Sequence, residues 1–401
     1  MNGAPSEKER REVYLDNSAT TALSPVAAAA VRDAYAVYGN PSSPHAAGVA
    51  AAKLLADSRA KLLRAAAGGD IPPAGEIAVF TGSGSEANNL AIAGAGLKKR
   101  HFDSNRIIIT DSEHPSVANT ASRLAGFGFE TAEIPTRGGV IDRDALRSEL
   151  KRGAAIVSLM LVNNETGARY DIEDIAAEVR KLAPSAFLHC DAVQGFTRTA
   201  LPLSCVDAVS VSAHKIHGPK GVGCLFVSPS VISKKLLSPV IFGGGQESGL
   251  RSGTENVPGI AGFAAAAAEA AENAVTDGKR LSELNSELIC GVTAAGARAN
   301  LPPRRVDHIL SVTLPGIRSQ TMLNFLSDRG IYISAGSACS SKDRKISRVL
   351  KAFGLPDDEA ECTVRVSLSA YNTEEDVSDF IAAVKAGISS LLRMRVKRRW
   401  F

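Results

Sequence analysis

Lys215 is the residue of this 401-residue sequence whose type and surroundings point most directly to chemistry. It lies in Ser210–Gly221 (SVSAHKIHGPKG), after an apolar run and before a turn rich in Gly and Pro, with Ser212 and His214 close by. A lysine held in a desolvated site can lose its proton and form a Schiff base. A single lysine is otherwise most often a solvated charge, so this interpretation needs support from other segments.

Two further segments carry polar residues beside apolar runs. In His189–Gln194 (HCDAVQ), Asp191 ends an apolar run, where an unpaired carboxylate would be costly and needs a cationic partner. A structural salt bridge or a helix cap would also meet that need. In Thr81–Asn89 (TGSGSEANN), a glycine-rich turn opens a predicted helix, whose N–H groups and dipole favour a phosphate, and Ser85 adds a hydroxyl. An ordinary strand-to-helix turn is the alternative there.

The three segments indicate more together than separately. A phosphate site, an acidic residue and a lysine are the protein groups that pyridoxal phosphate requires. Their order and spacing resemble those of the fold-type-I pyridoxal-phosphate enzymes.

The elements around these segments predict that all three share one edge of a sheet. Short apolar runs alternate with amphipathic stretches from about Glu76 to Val227, which predicts a mostly parallel sheet between helices. Such sheets bind ligands at the carboxyl ends of their strands. The predicted strands are Ile77–Thr81, Arg106–Thr110, Thr131–Pro135, Ala154–Val162, Ala186–Asp191, Ala208–Ser212 and Gly223–Val227. The predicted helices are Ser85–Leu97, Pro115–Phe127, Asp142–Arg152 and Ile172–Leu182.

After Phe263 the pattern changes to long helical stretches with few strand-like segments, which predicts a smaller α+β domain. We therefore expect an α/β protein with two domains. The large cofactor-binding domain comprises residues 17–262, and the small domain comprises residues 263–401 together with residues 1–16.

Composition and charge argue against several classes of protein. Hydrophobic residues make up 45% and charged residues 22%, which argues against a disordered chain. The net charge of +4 is too small to indicate a nucleic-acid or membrane surface. The first twelve residues are polar, and no apolar run approaches the ~20 residues of a membrane span, so we expect a soluble, cytoplasmic protein. The six cysteines contain no C-x-x-C pair, so we expect neither a zinc site nor a disulfide framework.

Six further motifs narrow the resemblance to the cysteine desulfurases of the NifS/IscS type, which belong to the class-V aminotransferases. They extend over nearly the whole chain, and their combination is very specific. The motifs are Tyr14–Thr21 (YLDNSATT), Gly39–Ser43 (GNPSS), Glu113–Pro115 (EHP), Val162–Gly167 (VNNETG), Arg251–Thr254 (RSGT) and Ser334–Ser340 (SAGSACS).

The resemblance implies a role for each matching residue. Lys215 corresponds to the Schiff-base lysine, Asp191 to the partner of the pyridinium nitrogen, and His114 to the imidazole that stacks on the cofactor and handles protons. Thr254 corresponds to a residue that reaches the cofactor phosphate of the other subunit, which implies a homodimer. Arg365 corresponds to the clamp on the substrate carboxylate, for which a guanidinium offers two parallel hydrogen bonds. The full cofactor-binding set implied is Gly84, Ser85, His114, Asn164, Asp191, Gln194, Ser212, His214, Lys215 and Thr254, with Asn164 also contacting substrate and Gln194 the phenolic oxygen.

Cys339 corresponds to the nucleophile that forms the persulfide. It lies in a stretch of small residues, Ser334–Ser341, and the cations of Lys342–Lys345 would favour its thiolate. The spacing from Cys339 to Gly354 resembles that of the subgroup with a longer loop.

The implied activity converts L-cysteine to L-alanine and leaves the sulfur on the enzyme, for iron–sulfur cluster or thio-cofactor biosynthesis. The implied partner is a sulfur-acceptor protein, either an iron–sulfur scaffold or a thiolation protein. No resident metal is expected, and Cys339 is the one candidate for a transient iron–sulfur ligand. A selenocysteine lyase or another β-eliminating lyase would use the same cofactor site and stays open as an alternative, as does a binding protein that keeps the fold without turnover.

Overall fold

The computed structural model describes residues 11–69, 72, 74–335 and 346–397, with the backbone alone for 393–397. Within these ranges the strands are β1 (Val13–Tyr14), β2 (Ile77–Thr81), β3 (Arg106–Thr110), β4 (Glu130–Ile134), β5 (Ile156–Met160), β6 (Phe187–Asp191), β7 (Ala208–Ser212), β8 (Gly223–Val227), β9 (Arg298–Asn300), β10 (Ile309–Thr313), β11 (Ile331–Tyr332) and β12 (Thr363–Ser367). The α-helices are α1 (Pro25–Ala34), α2 (Ala46–Ala66), α3 (Gly84–Gly96), α4 (Pro115–Arg123), α5 (Arg143–Lys151), α6 (Ile172–Leu182), α7 (Pro229–Ser233), α8 (Val257–Glu272), α9 (Ala274–Ala294), α10 (Ser319–Ser327), α11 (Arg348–Phe353), α12 (Asp357–Glu361) and α13 (Glu374–Lys397).

The chain divides into two compact units. The larger unit contains the described residues of Thr20–Asn164 and Ala168–Thr276, and the smaller contains those of 11–19, Glu165–Gly167 and 277–397. Along the chain the boundary falls at residue 276, beyond the expected position at 262, because α8 packs on α1 and α2 within the larger unit.

A seven-stranded sheet forms the centre of the larger unit, in the order β2-β8-β7-β6-β5-β3-β4. All neighbouring pairs are parallel except those of β8, which runs antiparallel to both β2 and β7. The mostly parallel α/β sheet predicted from the sequence is thereby confirmed. Strands β5 to β8 are buried along their whole length, as expected for a sheet with helices on both faces.

Two predicted elements exceed the observed ones by four residues each, for identifiable reasons. Ala154 and Ala155 are buried outside β5, so the apolar run there exceeds the strand itself. Helix α4 ends at Arg123 and continues as a 3₁₀ turn to Phe127, where Gly128 adopts a left-handed conformation with φ 78°.

The smaller unit has its own core between a three-stranded antiparallel sheet, β12-β10-β9, and helices that include α9, α10 and α13. Strand β1 pairs with β11 in a separate parallel pair. Leu288, Val312, Met322 and Phe380 are buried in this core. No helix in the described ranges is long and apolar enough to cross a membrane.

Candidate active site

The N-terminus of α3 forms a cradle suited to an anion. Ser83 caps the helix by accepting a hydrogen bond from the Glu86 N–H at 3.1 Å. The N–H groups of Gly84 and Ser85 donate to no other residue in the described part of the chain. Since free N–H groups and the helix dipole both favour negative charge, this end of α3 can hold a phosphate.

The wall of this cradle leaves no room for a side chain at Gly84. A Cβ there would lie 2.8 Å from Val193 Cγ2 and 3.1 Å from Ser212 Cβ. The hydroxyl of Ser212 is buried and has no hydrogen-bond partner among the described residues. A buried hydroxyl without a partner beside unpaired N–H groups fits a bound phosphate, which would satisfy these donors.

Asp191 ends β6 inside the larger unit and is 5% exposed. Its Oδ2 accepts a hydrogen bond of 2.7 Å from Asn88 Nδ2, and its Oδ1 accepts one of 3.0 Å from the Val193 N–H. No salt bridge to Asp191 is present among the described residues, so the structural ion pair considered from the sequence is not found there. The carboxylate is therefore suited to a cationic group of a ligand, as the pyridinium nitrogen of pyridoxal phosphate requires.

His114 caps α4, and its Nδ1 lies 2.8 Å from Ser116 Oγ. Burial lowers the pKa of His114, the negative charge of Asp191 partly opposes this, and the charge of Lys215 adds to the lowering. His114 therefore interacts electrostatically with both Asp191 and Lys215. Together with Ser85, it also lines a groove of about 710 Å³ beside α3 and α4, within the size range of small-molecule sites.

Lys215 ends the short 3₁₀ turn Ala213–Lys215 that follows β7 directly. This places it at the carboxyl end of a strand next to β6, the strand that carries Asp191. His214, beside it, has its pKa lowered to about 4 by burial and by the charges of Lys215 and Lys220. A neutral His214 adds no positive charge next to Lys215, so it can serve as a hydrogen-bonding group to an anion.

The other cofactor residues expected in this unit take less defined positions. Gln194 is buried in the turn after β6, and Asn164 is half-buried in a turn after β5. Thr254 is exposed in the loop before α8. Arg251, three residues earlier, is bonded to Glu86 at 2.9 Å, which attaches the start of this loop to α3 of the same chain.

Arg365 lies on β12 of the smaller unit and is 3% exposed. One guanidinium nitrogen is 2.7 Å from Asp16 Oδ1, an ion pair that no local sequence pattern predicts. Arg365 also exchanges two backbone hydrogen bonds with Ser334, the first residue of the stretch that contains Cys339. Cys339 itself, with residues 336–345, lies outside the described residues.

No disulfide joins any two of the five described cysteines. Cys190 and Cys224 are fully buried, and burial raises the pKa of each thiol well above its usual value. Burial also raises the pKa of the Cys205 thiol. These three thiols are therefore poorly suited to act as thiolate nucleophiles.

Asn88 was not among the expected site residues, although it lies in the segment that predicted the phosphate cradle. It is 1% exposed and on the face of α3 that also buries Gly84, Ala91 and Ala95. The sequence signal that could have identified Asn88 is its amide among the small, apolar residues on one face of α3. Such a group must find a buried polar partner, and here it finds Asp191.

Glu113 is a second buried acid that the sequence did not single out as a functional residue. Its Oε1 accepts hydrogen bonds from Thr110 Oγ1 at 2.7 Å and from the Met160 N–H at 3.0 Å. Burial raises the pKa of Glu113 to about 8; the two hydrogen bonds oppose this shift, and the charge of Asp191 adds to it. Glu113 is thus protonated in the folded protein at neutral pH.

This shift predicts a pH dependence of stability. The folded protein keeps the Glu113 proton up to about pH 8, whereas the unfolded chain loses it near 4.5, so stability falls as pH rises between these values. Glu113→Gln retains the acceptor oxygen and carries no titrating proton. Its free energy of unfolding relative to wild type should therefore rise by up to about 1.4 kcal/mol per pH unit across this window. Denaturant unfolding at several pH values measures this.

The exposed Glu287→Gln is the matched control and should follow wild type at every pH. If Glu113→Gln and wild type lost stability in parallel between about pH 5 and about pH 8, Glu113 would not retain a proton in the folded state.

Comparison with known proteins finds related chains. Residues 13–380 match the family model described as aminotransferase class-V. A NifS/IcsS protein homologue of Lactobacillus delbrueckii subsp. bulgaricus is 37% identical over 384 residues, covering 92% of this chain and 96% of the relative. A cysteine desulfurase of Sinorhizobium fredii is 35% identical over 393 residues, covering 96% and 98%. A solved NifS-like protein superposes with a TM-score of 0.84 at 34% identity, covering 94% of this chain and all of the other.

Proposed function

Because the chain belongs to the class-V aminotransferase family, and within it to the cysteine desulfurases of the NifS/IscS type, we propose that Lys215, Asp191 and His114 form its catalytic centre and that Cys339 receives the sulfur. The chain is a pyridoxal-phosphate-dependent enzyme that acts on L-cysteine. The observation that carries the assignment of residues is the position of Asp191 and Lys215 at the carboxyl ends of neighbouring strands, both in electrostatic contact with His114.

Pyridoxal phosphate, when bound, supplies an electron sink that stabilises negative charge at the substrate Cα. Gly84, Ser85, Ser212 and His214 would hold its phosphate at the N-terminus of α3. Asp191 would keep the ring nitrogen protonated, which is the condition for that sink to work. Gln194 and Asn164 would contact its remaining polar groups, and the buried Ser212 hydroxyl would gain the partner that it otherwise lacks.

Lys215 has two tasks in this proposal. It would hold the cofactor covalently in the resting enzyme. Once the substrate amine has displaced it, the free amine of Lys215 would remove the Cα proton. Lys215 is half-buried, and a lysine amine released in a partly desolvated site can act as a base of this kind.

Cys339 would accept the sulfur as a thiolate. Its sulfur attacks the substrate sulfur, the Cβ–S electron pair stays with the substrate carbon, and Cβ then takes up a proton. One cysteine and one enzyme thiol thereby give one alanine and one enzyme persulfide. Arg365, which has one guanidinium nitrogen paired with Asp16, would hold the substrate carboxylate.

We further propose that two copies of the chain complete each site, with the larger domain binding the cofactor and the smaller carrying Cys339. Thr254 is exposed, as a residue that acts on a second copy must be. The segment between α7 and α8 that includes Thr254 also carries adjacent exposed apolar side chains, Ile241 at 40% and Phe242 at 75%, and the Ile241 carbonyl accepts a hydrogen bond from the Ser252 N–H. Contiguous exposed apolar residues favour coverage by another protein surface.

Subunit mixing tests this arrangement. A Lys215→Ala protein and a Thr254→Ala protein are mixed under conditions of subunit exchange. If Thr254 acts in trans, one site of each mixed dimer carries both substitutions and the other carries neither. Alanine formation should therefore rise above that of both parents.

Confirmed exchange without any rise in activity would place Thr254 in the site of its own chain. A mixture of Lys215→Ala with wild type, at the same total concentration, controls for dilution of active subunits.

The persulfide would pass to an acceptor protein of iron–sulfur cluster or thio-cofactor biosynthesis. We propose that this occurs in the cytoplasm, since free cysteines are typical of a reducing compartment. A pull-down followed by measurement of persulfide transfer to each captured protein would identify the acceptor.

A further inference from the structure

A continuous chain of hydrogen bonds joins Asp191 to His114. Asn88 Nδ2 donates to Asp191 Oδ2 at 2.7 Å and also to Ser116 Oγ at 2.8 Å. Ser116 Oγ lies 2.8 Å from His114 Nδ1, and the Ser116 backbone N–H donates to the same nitrogen at 3.2 Å. Asn88 and Ser116, to which the resemblance gives no role, therefore connect Asp191 with His114, which the resemblance assigns to the cofactor.

The positions of the hydrogens follow from what each group can donate. Ionised Asp191 can only accept, so the Asn88 amide must direct its NH₂ group towards it. Both amide hydrogens are then used, one on Asp191 and the other on Ser116 Oγ. Ser116 keeps its hydroxyl hydrogen, and the acceptor next to it is His114 Nδ1. Since the Ser116 N–H also donates to Nδ1, that nitrogen must carry a lone pair and no proton.

We propose that Asn88 and Ser116 are positioning residues that hold neutral His114 in the tautomer protonated at Nε2. This proposal rests on the proposed place of His114 in the catalytic centre and adds which of its ring nitrogens carries the proton. His114 presents a hydrogen from Nε2 and keeps its lone pair on the side of α4. It therefore donates a hydrogen bond to a neighbouring group and cannot accept one from the substrate thiol at Nε2.

The surroundings of the ring support the neutral state. The charged groups that act on His114 are Asp191 on β6 and Lys215 after β7, of opposite sign. Asn88 lies between the Asp191 carboxylate and Ser116. The group bonded to Ser116 Oγ on the side of Asp191 is therefore a neutral amide, not the charged carboxylate. A hydroxyl and a backbone N–H, both donating to Nδ1, disfavour a second proton on the ring.

The tautomer is directly measurable by NMR of the holoenzyme labelled with ¹⁵N-histidine. The signal of His114 is identified by its absence in His114→Gln. Wild type should show Nε2 protonated and Nδ1 unprotonated. Ser116→Ala should shift the ratio of tautomers by about tenfold, the equivalent of one net hydrogen bond. Asn88→Ala should change it in the same direction, and Ser116→Thr, which keeps the hydroxyl, should restore the wild-type signals.

Thr120→Val is the matched control, because Thr120 lies on the same helix and bonds Asn89 and the Ser116 carbonyl, outside the chain of hydrogen bonds to His114. It should leave the His114 signals unchanged. A proton on Nδ1 in wild type would overturn the proposal without any variant having to fold, and so would unchanged signals in Ser116→Ala. Neither result would affect covalent cofactor attachment to Lys215 or persulfide formation, which are measured separately on wild type.

Discussion

Lys215→Ala should fold, lose the visible absorbance of the lysine-bound cofactor and lose turnover of L-cysteine. The substitution removes the amine that directly follows β7, at the edge of the sheet that carries Asp191. It thereby removes both the proposed covalent attachment and the proposed base, and a positioned base alone contributes about 10²–10⁴-fold. Absorbance spectroscopy and alanine release measure the two losses separately.

Lys220→Ala is the matched control, since Lys220 is an exposed lysine of the same Gly/Pro-rich segment. It should keep both the colour and the turnover. Borohydride reduction followed by peptide mapping identifies the attached lysine directly. A label on any other lysine would contradict the assignment of Lys215.

Cys339→Ala should fold, bind the cofactor and still change its spectrum when L-cysteine is added, but it should form almost no persulfide and little alanine. Removing the thiol removes the proposed acceptor of the sulfur and leaves in place the residues that we propose to bind the cofactor. Single-turnover assays of persulfide and alanine measure this.

The described cysteines provide the controls. Cys290→Ala removes an exposed thiol on α9, and Cys205→Ala removes a half-buried one. Both variants should keep persulfide formation, because a thiol that only packs or faces solvent takes no part in sulfur transfer. Near-normal turnover by Cys339→Ala would instead favour a plain β-elimination.

The sheet was largely predictable because its strands are short, apolar and separated by amphipathic stretches. Ile77–Thr81, Arg106–Thr110, Ala208–Ser212 and Gly223–Val227 have the bounds expected from the sequence. The antiparallel direction of β8 was not predictable. A strand that is buried on both faces has the same apolar pattern in either direction, and its partners are fixed by tertiary contacts.

The residue types of the site were also visible in the sequence, but the contacts between them were not. Lys215 and Asp191 stood out because a charged side chain at the end of a buried apolar run is costly unless a partner or a function accounts for it. The Arg365–Asp16 ion pair joins residues 349 positions apart in the sequence, and no local sequence pattern predicts it. The link from Asp191 through Asn88 to Ser116 depends on how α3 and α4 are positioned over the sheet, which only the folded chain defines.

Peptide mapping of the wild-type holoenzyme after a single turnover with L-cysteine, in the absence of added thiol, shows directly whether Cys339 receives the sulfur. We expect one additional sulfur atom on the peptide that contains Cys339 and an equal amount of alanine. Release of sulfide with pyruvate, or an unmodified Cys339 peptide with full conversion of L-cysteine, would contradict it.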